Sequence, residues 1–363
     1  MKSVSLLIKP ASSLCNMRCE YCFYADVAAH RNVASHGIMD DKTRSAVIGR
    51  ALEVGEDAHV TFAFQGGEPT CAGLEFFKEF VKEVDRKRTA QRISYSIQTN
   101  GLSLDEQWAA FFAENGFLVG VSVDGPRQTH DRLRPDAAGK ATHERIMRGV
   151  GLLREAGVDF NVLTVLTSQL VRHPQQLYRF YRQAGFDFVQ LIPCLPGLGG
   201  DGDEFSLGPH EFASFYKVFF RLWFDDLRRG QAMNVTLFDN VALLLSGRPP
   251  QQCGMSGRCT PQFVVESSGD VYPCDFYVLD EYRMGNVRDA SLVEMAAGRA
   301  AREFLAQPRR QCASCADCPF EDICHRNCKR LSVAYYDDEY CGYREFLEYA
   351  VPRLLEYMRG AGR

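Results

Sequence analysis

The sequence predicts an α/β fold: an open, partial (β/α)6 barrel followed by a C-terminal cysteine-rich domain. Apolar segments rich in β-branched and aromatic residues alternate with helix-like segments through the first half of the chain, and nine of the fourteen cysteines follow residue 250. Six βα units are too few to close an eight-stranded barrel. We therefore expect an open sheet, with functional residues at the carboxyl ends of its parallel strands.

Six segments have the composition of strands that are buried in a parallel sheet. They lie at 4–8, 60–64, 93–97, 117–123, 160–166 and 188–192. Helices are predicted between them at 41–54, 73–88, 105–115, 142–156 and 174–184. Several of these helices end near a glycine, which is a common helix terminator. The repeated order of strand and helix favours parallel pairing of the strands.

A glycine-rich connection after Cys194 places a domain boundary near residue 198. We expect the partial barrel over 1–198, a connecting helical segment over 199–250 and the cysteine-rich domain over 251–363. An aromatic helix is predicted at 211–229 and an amphipathic helix at 343–358. A β-hairpin is predicted at 263–275, with its turn at Ser268 and Gly269.

Composition and charge exclude several classes of protein. The formal net charge of −4 gives no basic footprint for nucleic acid, and no apolar stretch reaches the length of a membrane span. The first residues lack the pattern of an export signal, so we expect a cytoplasmic protein. In that reducing compartment the fourteen cysteines are interpreted as metal ligands or reactive thiols, because disulfides are rare there.

Three cysteines follow the first predicted strand with the spacing C-x3-C-x2-C: Cys15, Cys19 and Cys22. A compact loop can bring three thiolates to one four-iron cluster and leave the fourth iron without a protein ligand. A cofactor can chelate that open iron. The alternatives are a zinc knuckle that lacks one ligand, or three unrelated buried cysteines.

The cysteine loop, together with Gly66, Gly67, Glu68 and Pro69 after the second strand, resembles the radical SAM superfamily. The resemblance implies that S-adenosylmethionine (SAM) binds the open iron and is cleaved to methionine and a 5′-deoxyadenosyl radical. The two glycines would let the backbone approach the methionine moiety closely, and Glu68 belongs to the same binding segment. Taken alone, this Gly-Gly-Glu-Pro segment could be a plain turn between strand and helix.

The same resemblance implies further contacts with SAM from side chains near the strand ends, which are Tyr21, Tyr24, Ser122, Asp124, Arg134 and Leu195. Each has a plainer interpretation. The tyrosines can be core packing, Ser122 and Asp124 can belong to a strand-ending turn, Arg134 can be a surface residue and Leu195 a loop residue.

A second cysteine set resembles the SPASM signature of radical SAM enzymes that modify peptides and proteins. With one more upstream cysteine it gives eight ligands, enough for two fully coordinated four-iron clusters. By resemblance, the nearer cluster is held by Cys253, Cys259, Cys274 and Cys328, and the farther one by Cys315, Cys318, Cys324 and Cys341. The spacing alone does not show which four belong together, and two zinc sites remain an alternative.

Longer segments, among them SLLIKPASSLCNMRCEYCFY, FAFQGGEPT and QFVVESSGDVYPCDFYVLD, resemble the anaerobic sulfatase-maturating enzymes. The resemblance implies oxidation of a Cys or Ser in an unfolded sulfatase segment of Cys/Ser-x-Pro/Ala-x-Arg type to Cα-formylglycine. It also implies three [4Fe-4S] clusters, an electron donor of flavodoxin or ferredoxin type, and a monomer. The short Gly-Asp stretch at 199–204 and Cys71 depart from the family pattern.

Asp275, directly after the expected ligand Cys274, is the candidate base that takes the substrate's thiol or hydroxyl proton. Its alternative is a turn residue. Gln65 and Gln98, at strand ends, can hydrogen-bond an extended peptide or serve as structural amides. Two other functions stay open: another SPASM enzyme that forms a thioether or a crosslink, and an iron–sulfur electron carrier. The remaining cysteines are interpreted as buried or unligated thiols: Cys71, Cys194 and Cys312.

Overall fold

The structure, a computed structural model, describes residues 2–199 and 204–361. Most of the Gly-Asp stretch, residues 200–203, lies outside the described residues. The chain forms two compact units. Unit 1 comprises residues up to 123, 130–160 and 260–307, and unit 2 comprises 124–129, 161–259 and 308 onward. The domain boundaries at 198 and 250 stay predictions, because these units are spatial rather than consecutive in sequence.

The strands are β1 Ser3–Ile8, β2 His59–Phe64, β3 Arg92–Thr99, β4 Phe117–Ser122, β5 Phe160–Leu166, β6 Phe188–Pro193, β7 Asn234–Val235, β8 Val264–Val265, β9 Asp270–Tyr272 and β10 Gly285–Asn286. The helices are α1 Phe23–Ala29, α2 Asp41–Leu52, α3 Leu74–Lys87, α4 Glu106–Glu114, α5 Arg127–Leu133, α6 His143–Glu155, α7 Pro174–Ala184, α8 Pro209–Arg228, α9 Thr236–Leu245, α10 Leu292–Ala297, α11 Arg299–Ala306, α12 Glu321–Cys324 and α13 Gly342–Ala361.

In unit 1 the strand order is β10-β9-β8-β1-β2-β3-β4, with β1 to β4 parallel to one another. Ile8 pairs with Phe64, the last residues of β1 and β2. The residues that follow, Lys9 and Gln65, therefore emerge side by side at the carboxyl edge. The hairpin β8–β9 is antiparallel, and its first strand pairs with β1 in parallel.

Aromatic side chains fill the core beneath this sheet. Phe62 and Phe64 of β2 are fully or almost fully buried against Phe80 of α3, with ring centroids 5.1 and 5.0 Å away. Helix α2 begins at a side-chain cap, because Asp40 accepts a hydrogen bond from the backbone N–H of Thr43. This packed layer gives the strand ends above it a rigid support.

In unit 2, β5, β6 and β7 are parallel, and the two long helices α8 and α13 pack against each other. Tyr216 and Phe220 of α8 contact Phe346 of α13 at ring-centroid distances of 5.6 and 6.0 Å. Lys217 forms an ion pair with Glu345 between the same helices. The aromatic periodicity of residues 211–229 is thus the packing face of a helix.

The six predicted strands, the five helices between them, the hairpin and the two long helices are confirmed within three residues at their ends. Sequence analysis gave no bounds for the helices α1, α5, α9, α10, α11 and α12 or for the strands β7 and β10, all of which are short. Over the described ranges, no helix combines the length and the apolar character that crossing a membrane requires.

Candidate active site and cluster-binding cysteines

The cysteine loop, residues 15–22, runs from the end of β1 to the start of α1 and is anchored by backbone hydrogen bonds. Arg18 N–H donates to the carbonyl of Pro135 at 2.9 Å, and Glu20 N–H donates to the carbonyl of Leu133 at 3.0 Å. These contacts fix the loop in one conformation. Cys15, Cys19 and Cys22 are each partly exposed. Such a loop can present its thiolates to a cluster at its open side.

Burial raises the pKa of Cys15 to about 11, with the nearby Glu68, Cys22 and Cys71 acting in the same direction and a hydrogen bond from the backbone of Met17 opposing them. A thiol in this environment needs a metal cation to stay ionised. The side-chain amide of Asn100 donates to Cys15 Sγ at 3.7 Å and to Asn16 Oδ1 at 2.7 Å. The end of β3 therefore supports the cysteine loop directly.

The Gly-Gly-Glu-Pro segment packs on residues 12–14, which lead into the cysteine loop. Gly67 N–H donates to the carbonyl of Ser12 at 2.9 Å, and Glu68 N–H donates to that of Leu14 at 2.7 Å. A Cβ at position 67 would lie 2.3 Å from the Leu14 carbonyl oxygen, so only glycine fits there. The close backbone approach seen in the structure is to Ser13 and Leu14, directly before the cysteine loop.

Glu68 is 1% exposed, and its carboxylate accepts four hydrogen bonds. Oε1 accepts from Thr70 N–H at 3.0 Å and from the Thr70 and Thr99 hydroxyls at 2.7 Å, and Oε2 accepts from Asn100 N–H at 2.7 Å. Burial raises the pKa of Glu68, while these hydrogen bonds oppose the rise. Glu68 thus ties the segment after β2 to the end of β3.

Three further residues that were predicted to contact SAM, Tyr21, Arg134 and Ser122, lie in the same unit. Arg134 Nη1 donates to the Tyr21 hydroxyl at 2.8 Å, and Arg134 is 5% exposed. It is therefore a buried residue rather than a surface arginine. Ser122 ends β4 and accepts from Gln98 Nε2 at 3.2 Å. Gln98 and Ser122 lie at the carboxyl ends of β3 and β4. Arg134 contacts the cysteine loop through Tyr21.

Asp124 and Leu195 belong to unit 2. Asp124 is fully buried, and its Oδ1 accepts from Val165 N–H of β5 at 3.0 Å. Leu195 follows β6 and is 8% exposed. Each lies just beyond the carboxyl end of a strand of the barrel, where the sequence placed it.

Asp275 opens a short 3-10 helix, Asp275–Tyr277, right after Cys274. Its side chain is 13% exposed and accepts a hydrogen bond at each carboxylate oxygen. Lys9 Nζ donates to Oδ1 at 2.6 Å and Gln65 Nε2 donates to Oδ2 at 2.9 Å. Gln65 therefore has Asp275 as its partner, whereas Gln98 has Ser122. The candidate base is held by the ends of β1 and β2.

Tyr24 is 2% exposed and lies beneath this cluster of charges. Lys9 Nζ sits 3.7 Å from the centroid of its ring, and its hydroxyl donates to Glu266. Arg31 Nη1 forms an ion pair with Glu266 at 2.7 Å. Sequence analysis missed Lys9, Arg31 and Glu266. A lysine that ends an apolar parallel strand is the signal that could have identified the first of them.

In unit 2, four of the expected ligands surround one pocket, Cys315, Cys318, Cys324 and Cys341. Burial first, and then the neighbouring Cys341, Cys318 and Cys315, raise the pKa of Cys324 to about 12. Arg344 N–H donates to Cys341 Sγ at 3.3 Å. Four thiols that line one pocket suit a polynuclear metal centre, whose positive charge would keep its ligands ionised.

Three of the remaining four expected ligands also converge in unit 2. Cys328 and Cys259 both raise the pKa of Cys253, after desolvation of that thiol. A Cβ at Gly254 would lie 3.1 Å from Cys328 Cβ. The fourth, Cys274, lies in unit 1 just after β9. Throughout the part of the chain that is described, no three ligating side chains converge on a point small enough for one metal ion.

The turn between Cys324 and Cys328 has an unusual backbone. His325, Arg326 and Asn327 have φ values of 47°, 59° and 54°, which residues other than glycine rarely adopt. Such a run persists only where the surroundings impose it. Arg309 Nη1 donates to the carbonyl of His325 at 2.5 Å, and the Tyr336 hydroxyl donates to that of Arg326 at 3.3 Å. The turn sets the spacing between two ligands.

The remaining cysteines lie outside these sets. Cys194 and Cys312 are 2% and 3% exposed, and Cys71 is half-buried. None of the fourteen cysteines forms a disulfide. The interpretation of these three as unligated thiols stays a prediction.

Comparisons with known proteins extend these observations. Residues 10–181 match the radical SAM superfamily, and residues 253–319 match SPASM, an iron–sulfur cluster-binding domain. The chain is 41% identical, over 98% of both proteins, to the cysteine-type anaerobic sulfatase-maturating enzyme of Clostridium perfringens strain 13. It is 27% identical to the serine-type enzyme of Bacteroides thetaiotaomicron, over 99% of this chain and 92% of that protein.

Among solved structures, native anSMEcpe with bound AdoMet and the Cp18Cys peptide matches with a TM-score of 0.90 and 39% identity, over 99% of each chain. The predicted fold class is thereby confirmed: an open, partial radical SAM barrel with a C-terminal SPASM-type domain. The chain belongs to the anaerobic sulfatase-maturating enzymes, a family of radical SAM enzymes with an iron–sulfur cluster-binding SPASM domain.

Proposed function

We propose that this enzyme converts a cysteine in an extended, unfolded segment of a sulfatase into Cα-formylglycine, with Asp275 as the base. The observation that carries the proposal is the carboxylate of Asp275, held by Lys9 and Gln65 at the strand edge from which the cysteine loop also starts. The greater identity to the cysteine-type relative, 41% against 27% for the serine-type one, favours cysteine as the substrate residue.

The residues fit the cofactors that the family uses. Cys15, Cys19 and Cys22 would hold the cluster to which SAM binds, with the backbone of Gly66 to Glu68 beside it. Tyr21, Tyr24, Ser122, Asp124, Arg134 and Leu195 are the proposed side chains around SAM. When bound, SAM and the clusters supply removal of a hydrogen atom from the cysteine β-carbon and an acceptor for the second electron.

The two auxiliary clusters would be held by four cysteines each. Cys315, Cys318, Cys324 and Cys341 line one pocket, as the ligands of one metal centre would, and the match to an iron–sulfur cluster-binding domain favours a cluster over zinc. For the other site we propose Cys253, Cys259, Cys274 and Cys328, of which three converge within unit 2. Full ligation leaves no open iron, so these centres suit electron transfer.

Asp275 would accept the thiol proton of the substrate. A carboxylate is a weak base toward an ordinary thiol, whose pKa is about 8.5. Loss of a hydrogen atom from the adjacent carbon makes the S–H group far more acidic, and proton transfer to a carboxylate then becomes favourable. The side chain loses one hydrogen atom, one proton and one electron in total. Water then replaces sulfur in the resulting thioaldehyde, giving the aldehyde and hydrogen sulfide.

The electron for SAM cleavage would come from a flavodoxin- or ferredoxin-type protein in the cytoplasm, and we propose that the enzyme works as a monomer. Gln98, whose amide donates to Ser122 at the end of β4, is a candidate to bind the backbone of the extended substrate. Neither a nucleic acid nor a membrane is part of the proposal.

The decisive experiment is anaerobic incubation with SAM, a reductant and a short peptide of Cys-x-Pro-x-Arg type. Mass spectrometry should show the mass loss that corresponds to replacement of CH2SH by CHO, together with 5′-deoxyadenosine. The matching serine peptide tests substrate choice, and a peptide with alanine at that position is the control. A thioether or crosslink without the aldehyde would refute the proposal in favour of another SPASM chemistry.

A further inference from the structure

We propose that Lys9 is the positioning residue of Asp275 and holds its carboxylate in the orientation from which it takes the substrate proton. The inference rests on the proposed function of Asp275. Lys9 directly follows β1, and its side chain is 0% exposed. An ammonium group is costly to bury unless a carboxylate compensates it, so a fully buried lysine needs an explanation beyond packing.

The surroundings of the Lys9 ammonium direct it to one group. Its Nζ lies 2.6 Å from Asp275 Oδ1 and 3.7 Å from the centroid of the Tyr24 ring. Across the described residues, Asp275 is its sole hydrogen-bond acceptor. Tyr24 supports the cation through its ring face, while its hydroxyl is occupied by Glu266. The cation and the candidate base thus form one unit with a fixed geometry.

Gln65 provides the second hydrogen bond to the Asp275 carboxylate. Because Ile8 pairs with Phe64, the next residues on both strands face the same edge, and Gln65 Nε2 reaches Asp275 Oδ2 at 2.9 Å. A carboxylate can accept roughly four hydrogen bonds. Donors on both oxygens therefore prevent rotation of the carboxylate and leave its other lone pairs in fixed directions. One of these would receive the substrate proton.

The stem of Lys9 also contacts the loop that follows β2. The Cβ and Cγ atoms of Lys9 lie 3.2 Å from the place where a Cβ at Gly66 would be. The same side chain thus packs beside the Gly-Gly-Glu-Pro segment with its stem and holds Asp275 with its ammonium group. General-base catalysis requires the acceptor within about 2.6–3.2 Å of the proton's donor atom, and a displacement of about 1 Å can cost on the order of 10² in rate.

The fold does not depend on Lys9 alone to join these elements. A second buried ion pair, Arg31–Glu266, links the segment after α1 to the residue after β8 at 2.7 Å, with side-chain exposures of 1% and 0%. The hairpin that carries Asp275 is paired to β1 by backbone hydrogen bonds as well. Removal of the Lys9 ammonium should therefore affect the orientation of Asp275 more than the fold.

The test is Lys9→Met, which keeps an apolar stem and removes the cation. We expect kcat for formylglycine to fall by about 10- to 10²-fold with the peptide KM near native, because positioning for proton transfer is lost. SAM cleavage should continue, so the ratio of 5′-deoxyadenosine to formylglycine should rise. Lys78→Met is the matched control: its Nζ also lies 2.6 Å from a carboxylate, that of Glu75, but the pair is exposed. This control should leave the rate and the ratio unchanged.

A double-mutant cycle separates positioning from general damage. If Lys9 acts through Asp275, the pair Lys9→Met with Asp275→Asn should be no slower than Asp275→Asn alone. Additive losses, or a Lys9→Met variant with native rate and ratio, would overturn the role of Lys9. If Lys9→Met fails to retain its iron, Lys9→Gln, a neutral donor, takes its place in the same cycle. Native formylglycine production by Asp275→Asn would instead remove the proposed base, and the role of Lys9 with it.

Discussion

Cysteines are arranged differently in the two units. Unit 1 has the cysteine loop, residues 15–22, and unit 2 has the cysteine pocket, formed by Cys315, Cys318, Cys324 and Cys341. The loop offers three thiols from one short segment, closed by ordinary backbone hydrogen bonds. The pocket is lined by four thiols from a longer stretch of chain: Cys315 and Cys318 share one turn, Cys324 ends α12 and Cys341 directly precedes α13. Three ligands leave one iron of a cluster open for a cofactor, whereas four complete its coordination.

The supports of the two regions differ in the same way. The loop rests on β3 and on the segment around Pro135 through backbone hydrogen bonds and through the hydrogen bond from Asn100 to Asn16. Arg326 lines the pocket and belongs to the turn from His325 to Asn327, three consecutive residues in the left-handed region, each of which costs of order 1–3 kcal/mol. From this comparison we propose that metal serves reactivity at the loop, and both electron transfer and folding at the pocket.

The largest effect is expected from replacing Cys15, Cys19 and Cys22 together by Ala. All SAM cleavage should be lost, and iron should fall from roughly twelve to roughly eight per chain, because the auxiliary ligands remain. Iron analysis and 5′-deoxyadenosine release measure this after anaerobic reconstitution. Cys71→Ala, a change of a neighbouring half-buried thiol, should keep both iron and SAM cleavage. Bound zinc with only about four irons in the unmodified protein would contradict the assignment of the auxiliary cysteines to iron–sulfur clusters.

Asp275→Asn should lower formylglycine production by on the order of 10² or more while SAM cleavage persists, because an amide cannot accept the proton as a carboxylate can. Abortive 5′-deoxyadenosine should accumulate. Asp280→Asn, five residues further on at an exposed position, is the control and should be near native. Since Asp275 follows Cys274, iron must be measured on the same sample. Native formylglycine production with intact clusters would exclude Asp275 as the base.

Cys324→Ala should lower activity and the yield of soluble protein together, because the pocket loses the metal centre that holds the strained turn. Iron should fall by about four per chain. Cys194→Ala, which also removes a buried thiol from unit 2, should cost only packing and should keep its iron. Soluble, fully active Cys324→Ala protein would show that Cys324 is not a ligand.

The sequence predicted the repeated strands and helices, because parallel strands buried on both faces show as apolar runs and helix ends carry glycine. It also singled out the candidate cluster cysteines by their spacing, and their assignment as ligands stays a prediction. It did not reveal the link from Lys9 to Asp275, because the two are 266 positions apart and meet only through strand pairing. Nor did it reveal why position 67 must be glycine. The reason is the carbonyl of Leu14, which leaves no room for a Cβ and comes from a loop that is distant in sequence.

The smallest effect concerns a side-chain donor to a ligand sulfur of the cysteine loop. Asn100 Nδ2 donates to Cys15 Sγ at 3.7 Å, a long hydrogen bond, whereas in the pocket Cys341 Sγ receives the backbone N–H of Arg344. Donors to a ligating sulfur stabilise the reduced, more negative cluster, so their removal makes the reduction potential more negative. Asn100→Ala should therefore lower the potential of the SAM-binding cluster and leave those of the auxiliary clusters unchanged.

A redox titration followed by electron paramagnetic resonance would measure this, with the auxiliary clusters as internal references. Asn16→Ala is the informative control: it removes the 2.7 Å hydrogen bond between the two asparagines but keeps the donor to Cys15. Its potential should stay close to that of the unmodified enzyme. If Asn16→Ala shifts the potential as far as Asn100→Ala does, the packing of the cysteine loop, and not the hydrogen bond to sulfur, sets the potential. Equal shifts at all three clusters would remove the distinction between the two regions.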